Sequence, residues 1–466
     1  MGSFKIITLG CKVNQYESAY LNEALRREGW KEASKDEIAD VSIVNTCIVT
    51  QRASDQSRQA IRKAIRENPS GKTAAIGCYA QVFPEEIVAI EGVSLVVGNT
   101  AKGQLPDILL NAHKGLLSSS EDGNSPRLPF RKGGGGGIPM QKAECKPSTV
   151  HSNFPERMPF QFMPIEVFRD RTRGFLKIQD GCDSFCTYCI VPFARGPVRS
   201  LASERVLTAM KALAEKGYRE VVLTGIHLGK YGADLDDGAS LKELLELLGR
   251  EELPLRIRLS SIEPKELDKE LIEMVASESW LCRHFHIPLQ SGDDLILKKM
   301  NRNYTGREFR DLVEEIRKKI PLAAIGVDVM AGFPGEDEQG FNNTYAFVKD
   351  LPISYLHVFP FSPRKGTPAA NFSGQVKKKE IKERAGALRA LGQEKRQAFY
   401  GSCLGREFEV LAEGWESAKR GWIKGWSDNY VPVTFRATQL MKNVMVPVLL
   451  RGLEKNGVVG IVVRHQ

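Results

Sequence analysis

The chain has 466 residues, 42% hydrophobic and 26% charged, with a mean hydropathy of -0.27 and a net charge of +9; two to four domains are expected at about 150 residues each. No apolar run reaches the ~20 residues of a membrane helix, and MGSFKIITLG lacks both a secretory leader and the Ser or Thr of a myristoylation signal, so a cytoplasmic protein is expected. The basic balance suits a polyanionic partner, and nine cysteines without an export signal favour metal or redox chemistry over disulfides.

Strand and helix alternate over residues 1–113. FKIITLG, ADVSIVNT, TAAIG and SLVVGN read as strands, and NQYESAYLNEALRREGW and SDQSRQAIRKAIREN carry apolar residues at helical spacing. This pattern predicts a doubly wound parallel sheet. Residues 114–165 contain SSSEDGNSPRLPFRKGGGGGIPM, rich in Ser, Gly and Pro, and read as a flexible linker. The five glycines 133–137 need no chemistry to explain them. Residues 166–372 resume alternation, with strands GFLKIQD, REVVLTG, LRIRLSS, RHFHIPL, IGVDVMAG and YLHVFPF. Six βα units are too many for half a dinucleotide fold and too few for an eight-fold barrel; a partial (β/α)6 barrel fits. Residues 373–400 form a basic helical connector, with Lys or Arg at 377, 378, 379, 382, 384, 389, 395 and 396 against Glu380, Glu383 and Glu394. Residues 401–466 offer EFEVLAE, KGWSDNYVPVTF, VMVPVLLRGLE and GVVGIVV, a small all-β barrel near the minimum size for its own core. The fold class is α/β: an N-terminal doubly wound parallel sheet, a central partial barrel and a small C-terminal β-barrel.

The cysteines sort by position. Cys11, Cys47 and Cys78 each follow a predicted strand. Ligands of an open α/β sheet bind beyond the carboxyl ends of its strands, so these three are expected at one sheet edge; the alternative is three small buried apolar residues. Cys182, Cys186 and Cys189 lie in GCDSFCTYC, after the first barrel strand, where barrel chemistry sits. Three thiolates leave one iron of a four-iron cluster without a protein ligand, and a catalytic metal needs an open position. A zinc site with a distant fourth ligand is the alternative. Cys145, Cys282 and Cys403 have no companions and read as structural or incidental.

The spacing Cys182-DSF-Cys186-TY-Cys189 resembles the radical S-adenosylmethionine enzymes, and TLGCKVNQYES, VNTCIVT and IGCYAQ narrow the resemblance to the methylthiotransferases. LTGIHLGKYG, RLSSIEP, HIPLQSG and DVMAGFPGE are further matches. The chain looks most like the tRNA enzymes acting on N6-threonylcarbamoyladenosine at position 37; the isopentenyladenosine branch typically shows Gln-Met-Asn where this chain has Lys12-Val13-Asn14. The resemblance implies a [4Fe-4S] cluster on Cys182, Cys186 and Cys189 that cleaves S-adenosylmethionine to a deoxyadenosyl radical. It implies a second [4Fe-4S] cluster on Cys11, Cys47 and Cys78, where sulfur for C2 of the adenine is bound and methylated by another S-adenosylmethionine. It also implies that the C-terminal barrel is an RNA-binding TRAM module, that the tRNA anticodon stem-loop is the partner, and that an electron donor and a sulfur source are needed. Rival readings are the isopentenyladenosine enzyme, an enzyme modifying a ribosomal-protein aspartate, a non-catalytic iron–sulfur RNA-binding redox sensor, and a zinc-dependent RNA-binding protein.

By the same resemblance Tyr188 lies beside the S-adenosylmethionine adenine, while Thr224 and Gly225 stand where the superfamily often has a run touching the methionine amino group. Ser260, Ser261, Glu263 and Gln290 end predicted strands, which favours cofactor contact. Asp328 and Gly332 are read as shaping a turn, and His227, His286 and His357 as hydrogen-bonded structure. Arg195 either faces a phosphate or a cluster-proximal carboxylate, or forms an exposed ion pair. The basic segment 377–396, with Trp415, Trp422, Trp426, Tyr430, Lys419, Arg420 and Lys424, is the candidate RNA surface.

Overall fold

Strands buried on both faces read as mainly apolar runs, as AAIG and LVV of the first domain do. The computed structural model describes residues 2–34, 36–114, 148–168, 171–236, 238–417 and 419–463. Glycines 133–137 and Cys145 lie outside the described residues. The chain divides into two compact units: residues 1–165, 181–183 and 189–197 form the first, and residues 166–180, 184–188 and 198–466 the second.

The first unit runs β1 (Ser3–Thr8), α1 (Lys12–Arg27), β2 (Lys31–Glu32), β3 (Val41–Thr46), α2 (Gln51–Glu67), β4 (Lys72–Gly77), α3 (Cys78–Val82), α4 (Pro84–Val88), β5 (Leu95–Val97), α5 (Leu105–Lys114) and β6 (Ser148–Val150). The sheet order is β2-β1-β3-β4-β5-β6, parallel throughout. Leu21, Leu25, Leu105 and Leu109 of α1 and α5 pack with Ile43 and Ile76. Ile61, Ala64, Tyr79 and Ile87 of α2 to α4 pack with Val44 and Ala75. Neighbouring strand residues thus feed opposite layers, and the sheet is doubly wound. The expected linker 114–165 requires correction at its end: Ser148–Val150 pair with Leu95–Val97 as an edge strand, and Met163 is buried with its carbonyl accepting from the Tyr16 hydroxyl at 2.5 Å. Three residues are too short to show a period.

The second unit continues with β7 (Gly174–Lys177) and β8 (Gln179–Asp180); α6 (Val191–Arg195) belongs to the first unit. There follow β9 (Arg199–Ser200), α7 (Ser203–Glu215), β10 (Glu220–Thr224), α8 (Leu241–Gly249), β11 (Arg256–Leu259), α9 (Lys269–Ser277), β12 (His284–Gln290), α10 (Asp294–Lys299), α11 (Gly306–Lys319), β13 (Ala324–Ala331), α12 (Glu338–Asp350) and β14 (Tyr355–Pro360). The partial barrel is built as two parallel three-stranded halves, β7-β10-β11 and β12-β13-β14. Between β11 and β12 the only β-bridge among the described residues is Ile257 with Leu281.

A 25-residue helix, α13 (Lys378–Ser402), leads to a closed barrel of β15 (Glu407–Trp415), β16 (Trp422–Ser427), β17 (Pro432–Arg436), β18 (Val444–Glu454) and β19 (Gly457–Val462), ordered β15-β16-β17-β19-β18. The run KGWSDNYVPVTF, expected as one strand, divides between β16 and β17. Ser427 Oγ accepts from the Val431 N–H at 2.9 Å and donates to Asn429 Oδ1 at 2.6 Å, which closes a turn in which Tyr430 takes φ +63°.

A buried charge cluster joins the two barrels of this unit. Glu220 on β10 accepts from Arg256 at 2.7 Å and Arg258 at 2.8 Å on β11. The remaining guanidinium N–H groups donate to the carbonyls of Glu409, Trp426, Ser427 and Asp428. Trp426 stacks on Tyr430 with centroids 4.6 Å apart, and Arg173 and Arg258 lie over these two rings. Trp426 and Tyr430 are thus half-buried and held by contacts within this unit. Several helical cations are likewise engaged within this unit. Arg384 pairs with Glu336, Lys395 donates to the carbonyls of Lys349 and Leu351, and Arg396 lies over Tyr355, whereas Lys377, Lys378, Lys379 and Lys382 are exposed. Among the described residues, no helix is long and apolar enough to cross a membrane.

Candidate active site

Cys11, Cys47 and Cys78 stand at the carboxyl ends of the adjacent strands β1, β3 and β4. Cys11 is the N-cap of α1, where the helix dipole favours an anion. Gly10, at φ +93°, has no Cβ because one would lie 2.8 Å from Cys47 Sγ; glycine lets the two loops close on each other. Asn14 Nδ2 donates to the Leu9 and Thr46 carbonyls at 2.8 and 3.0 Å and so ties the same two loops together. Ser57 Oγ accepts from the Cys47 N–H and donates to the Cys47 carbonyl. Asn99 Nδ2 reaches Cys78 Sγ at 3.5 Å and donates to the Ala194 carbonyl at 2.6 Å.

The three thiols act on one another electrostatically, and Arg195 acts on Cys11 and Cys47. Burial pushes the Cys47 thiol up to about 12, with Cys78 adding to the rise. Thiolates here therefore need compensating positive charge, and the fold supplies it. Lys102 and Arg195 are each 1% exposed and share the single carboxylate of Glu17, at 2.6 and 2.5 Å, while Arg195 also donates to Asn14 Oδ1 at 2.6 Å. Two buried cations therefore stand beside the triad, both bonded to Glu17. This corrects the exposed ion pair considered for Arg195.

The loop carrying Cys182, Cys186 and Cys189 is divided between the units. In the first, the Cys182 N–H donates to the Gly196 carbonyl at 3.0 Å. In the second, Asn301 Nδ2 donates to the carbonyls of Ser184 and Phe185, Thr187 donates to the Lys299 carbonyl, and Arg302 Nη1 lies 3.3 Å from Cys186 Sγ. Arg302 also binds Glu263; burial pushes that carboxyl up and the guanidinium pulls it back. Arg302 was not singled out in the sequence, since its run MNRNYTGR follows α10 far from any cysteine.

The remaining candidates fall at the carboxyl ends of the second unit's strands. Tyr188 packs edge-on against Phe333, centroids 6.5 Å apart. Thr224 is buried and accepts from the Ile178 N–H, and Gly225 follows it beside the Gln179 side chain. Gln179 Oε1 accepts from the His227 N–H, and His227 Nε2 meets Glu266 at 2.5 Å. Among the described residues Ser260 Oγ is buried without a hydrogen-bond partner, a place for a polar ligand atom. Ser261 is exposed, and Gln290 takes φ +67° at the irregular end of β12, where a non-glycine residue carries backbone strain. Asp328 shapes no turn: it sits within β13, bonded to His286 and His357.

Residues 3–98 match the family described as uncharacterized protein family UPF0004, and residues 176–348 match the Radical SAM superfamily. Threonylcarbamoyladenosine tRNA methylthiotransferase MtaB of Bacillus subtilis (strain 168) is 38% identical over 98% of this chain and 96% of its own length. The chain belongs to the radical S-adenosylmethionine methylthiotransferase family. The methylthiotransferase is also 40% identical to the MtaB of Aquifex aeolicus (strain VF5), over 87% of this chain and 91% of that protein. It is 31% identical to a tRNA-2-methylthio-N(6)-dimethylallyladenosine synthase of Pelotomaculum thermopropionicum, over 99% and 98%. In fold it resembles TsrM, a radical S-adenosylmethionine methyltransferase of Kitasatospora setae solved with cobalamin and a [4Fe-4S] cluster, with a TM-score of 0.55, 17% identity, and coverage of 79% of this chain and 74% of that one.

Methylthiotransferases of this kind use S-adenosylmethionine and two [4Fe-4S] clusters. The residues present fit both. Thiolates are soft ligands suited to iron–sulfur clusters, the first triad has two buried cations beside it, Cys186 has Arg302, and the Ser260 hydroxyl, without a partner among the described residues, stands at a strand end.

Proposed function

We propose that this methylthiotransferase inserts a methylthio group at C2 of N6-threonylcarbamoyladenosine at position 37, in the tRNA anticodon stem-loop, within the cytoplasm. An electron donor and a sulfur source outside this chain complete the reaction. Cys182, Cys186 and Cys189 would hold one [4Fe-4S] cluster, and Cys11, Cys47 and Cys78 the other. When bound, the clusters would supply one-electron chemistry and a place to hold the incoming sulfur, and S-adenosylmethionine the methyl group and the radical.

The hydrogen on C2 of an adenine has no useful acidity and is no leaving group, so the protein's task is to position reactants and exclude water. Arg302 sets positive charge beside Cys186 and orients Glu263. Tyr188, Thr224, Gly225, Ser260, Ser261, Glu263 and Gln290 would receive S-adenosylmethionine, Ser260 Oγ having no partner among the described residues. Arg195 and Lys102 offset the charge of three thiolates in the first unit. The exposed Lys377, Lys378, Lys379 and Lys382, and Trp415 and Trp422 with Lys419, Arg420 and Lys424, would bind RNA by charge and stacking.

The observation that carries the choice of substrate is the likeness to the MtaB enzymes at 38% and 40%, against 31% and 33% for dimethylallyladenosine enzymes. Nucleoside mass spectrometry of tRNA from cells with and without the gene tests it. The 2-methylthio derivative of threonylcarbamoyladenosine should vanish on deletion. Its persistence, with loss of the isopentenyladenosine derivative instead, would overturn the reading.

A further inference from the structure

Within the second unit two imidazoles converge on one carboxylate oxygen. His286 Nε2 on β12 lies 2.9 Å, and His357 Nδ1 on β14 lies 3.4 Å, from Asp328 Oδ1 on the intervening β13. A ligand atom from each of the three lies within 4.8 Å of the others. The alternate residues Phe285, Ile287, Ile325, Val327, Val329 and Leu356 are buried and apolar, as residues facing the outer helices should be. The trio therefore occupies the inner face of the barrel strands. Side-chain exposure rises from 11% at His286 and 18% at Asp328 to 49% at His357, so the group is reachable from solvent.

The surroundings hold this group in place. The Tyr355 hydroxyl lies 3.3 Å from His286 Nδ1, the nitrogen not turned to Asp328, and 2.7 Å from His284 Nε2. Gly326 makes room for it: a Cβ there would lie 2.0 Å from Tyr355 Cζ. Asp328 presents a carboxylate oxygen flanked by two imidazoles, one of them oriented through its far nitrogen. Metal-binding histidines are oriented in this way. Two imidazoles and one carboxylate form a set that suits borderline divalent cations and leaves coordination positions free.

We propose that His286, Asp328 and His357 form a two-histidine, one-carboxylate site for a single divalent transition cation of the Zn2+, Fe2+ or Mn2+ class, separate from both cysteine triads. Three protein donors leave open positions on the barrel's inner face for water or a carboxylate oxygen. The nitrogen and oxygen donors distinguish this site from the thiolate sets, which select iron–sulfur clusters.

The test uses the full, cluster-loaded chain with its clusters oxidised, titrated with Mn2+ alone while the six-line electron paramagnetic resonance signal of free Mn2+ is followed. The wild type should remove a single Mn2+ per chain and release it to Zn2+. His357→Ala, at a half-exposed position that does not threaten folding, and Asp328→Asn should lose this binding. Tyr355→Phe should weaken it about 10–100-fold. Iron and sulfide content equal to wild type in each variant ties the loss to this site. Absence of stoichiometric Mn2+ uptake, or uptake of equal strength in His357→Ala, would overturn the proposal.

Discussion

Glu17→Gln tests the buried charge balance behind the first cysteine triad. The carboxylate accepts from Lys102 Nζ at 2.6 Å and from Arg195 Nη1 and Nη2 at 2.5 and 3.2 Å. All three side chains are 2% exposed or less, so solvent screening is small. Removing one partner of a buried pair costs about 3–5 kcal/mol because the other charge is left uncompensated. Lys102 can relieve part of that by shedding its proton, since burial already lowers its pKa, which places the effect toward the lower end. At about 1.4 kcal/mol per decade, opening of α1 and β3 should become about 100- to 1000-fold easier. Hydrogen exchange with mass spectrometry, on cluster-free wild type and variant, reads this from the peptides spanning residues 12–27 and 41–46. Glu17→Gln with Lys102→Met should recover part of the loss. A change below about five-fold, or ~1 kcal/mol, would refute the claim that this network balances charge in the first unit.

Burial opposes the Glu220 charge, but Arg258 and Arg256 bring its carboxyl down to about 2 from an ordinary 4.5; a depressed folded pKa gives stability that is present above 4.5 and lost as pH falls toward 2. Urea unfolding of the cluster-free protein should show ~3 kcal/mol of such pH-dependent stability, largely missing from Glu220→Gln; parallel pH profiles would exclude it. Cys186→Ala should abolish deoxyadenosine formation, whereas Cys47→Ala should retain some S-adenosylmethionine cleavage yet give no methylthiolated product; normal product from Cys47→Ala would remove the first triad from the reaction. Replacing Lys377, Lys378, Lys379 and Lys382 by Gln should flatten the dependence of log affinity for the anticodon stem-loop on log salt by ~0.7 per lost single-strand phosphate contact; an unchanged slope would take these lysines out of the RNA surface.

What was legible in the sequence follows strand ends. Cys11, Cys47 and Cys78 could be placed at one sheet edge because each follows an apolar run, and the barrel strands because their runs are β-branched and bounded by turn residues. Side-chain partnerships between distant segments were not legible. Arg195 meets Glu17 across 178 residues and Arg302 meets Cys186 across 116, and no local pattern records either. Asp328 looked like a turn residue because glycines follow it, yet its strand extends to Ala331. Lysines surround Trp426 and Tyr430 in sequence, and nothing local records that Arg173 and Arg258 lie over their rings and that Arg256 bonds the Trp426 carbonyl. Ser148–Val150 gave no signal because an edge strand of three residues has no periodicity to read.

The central claim is that two separate cysteine triads each hold a four-iron cluster, and iron and sulfide content after anaerobic reconstitution tests it most directly. The wild type should carry about eight of each per chain, and Cys47→Ala and Cys186→Ala about four each. A wild-type chain with about four, or a Cys47→Ala chain that still holds about eight, would contradict the account.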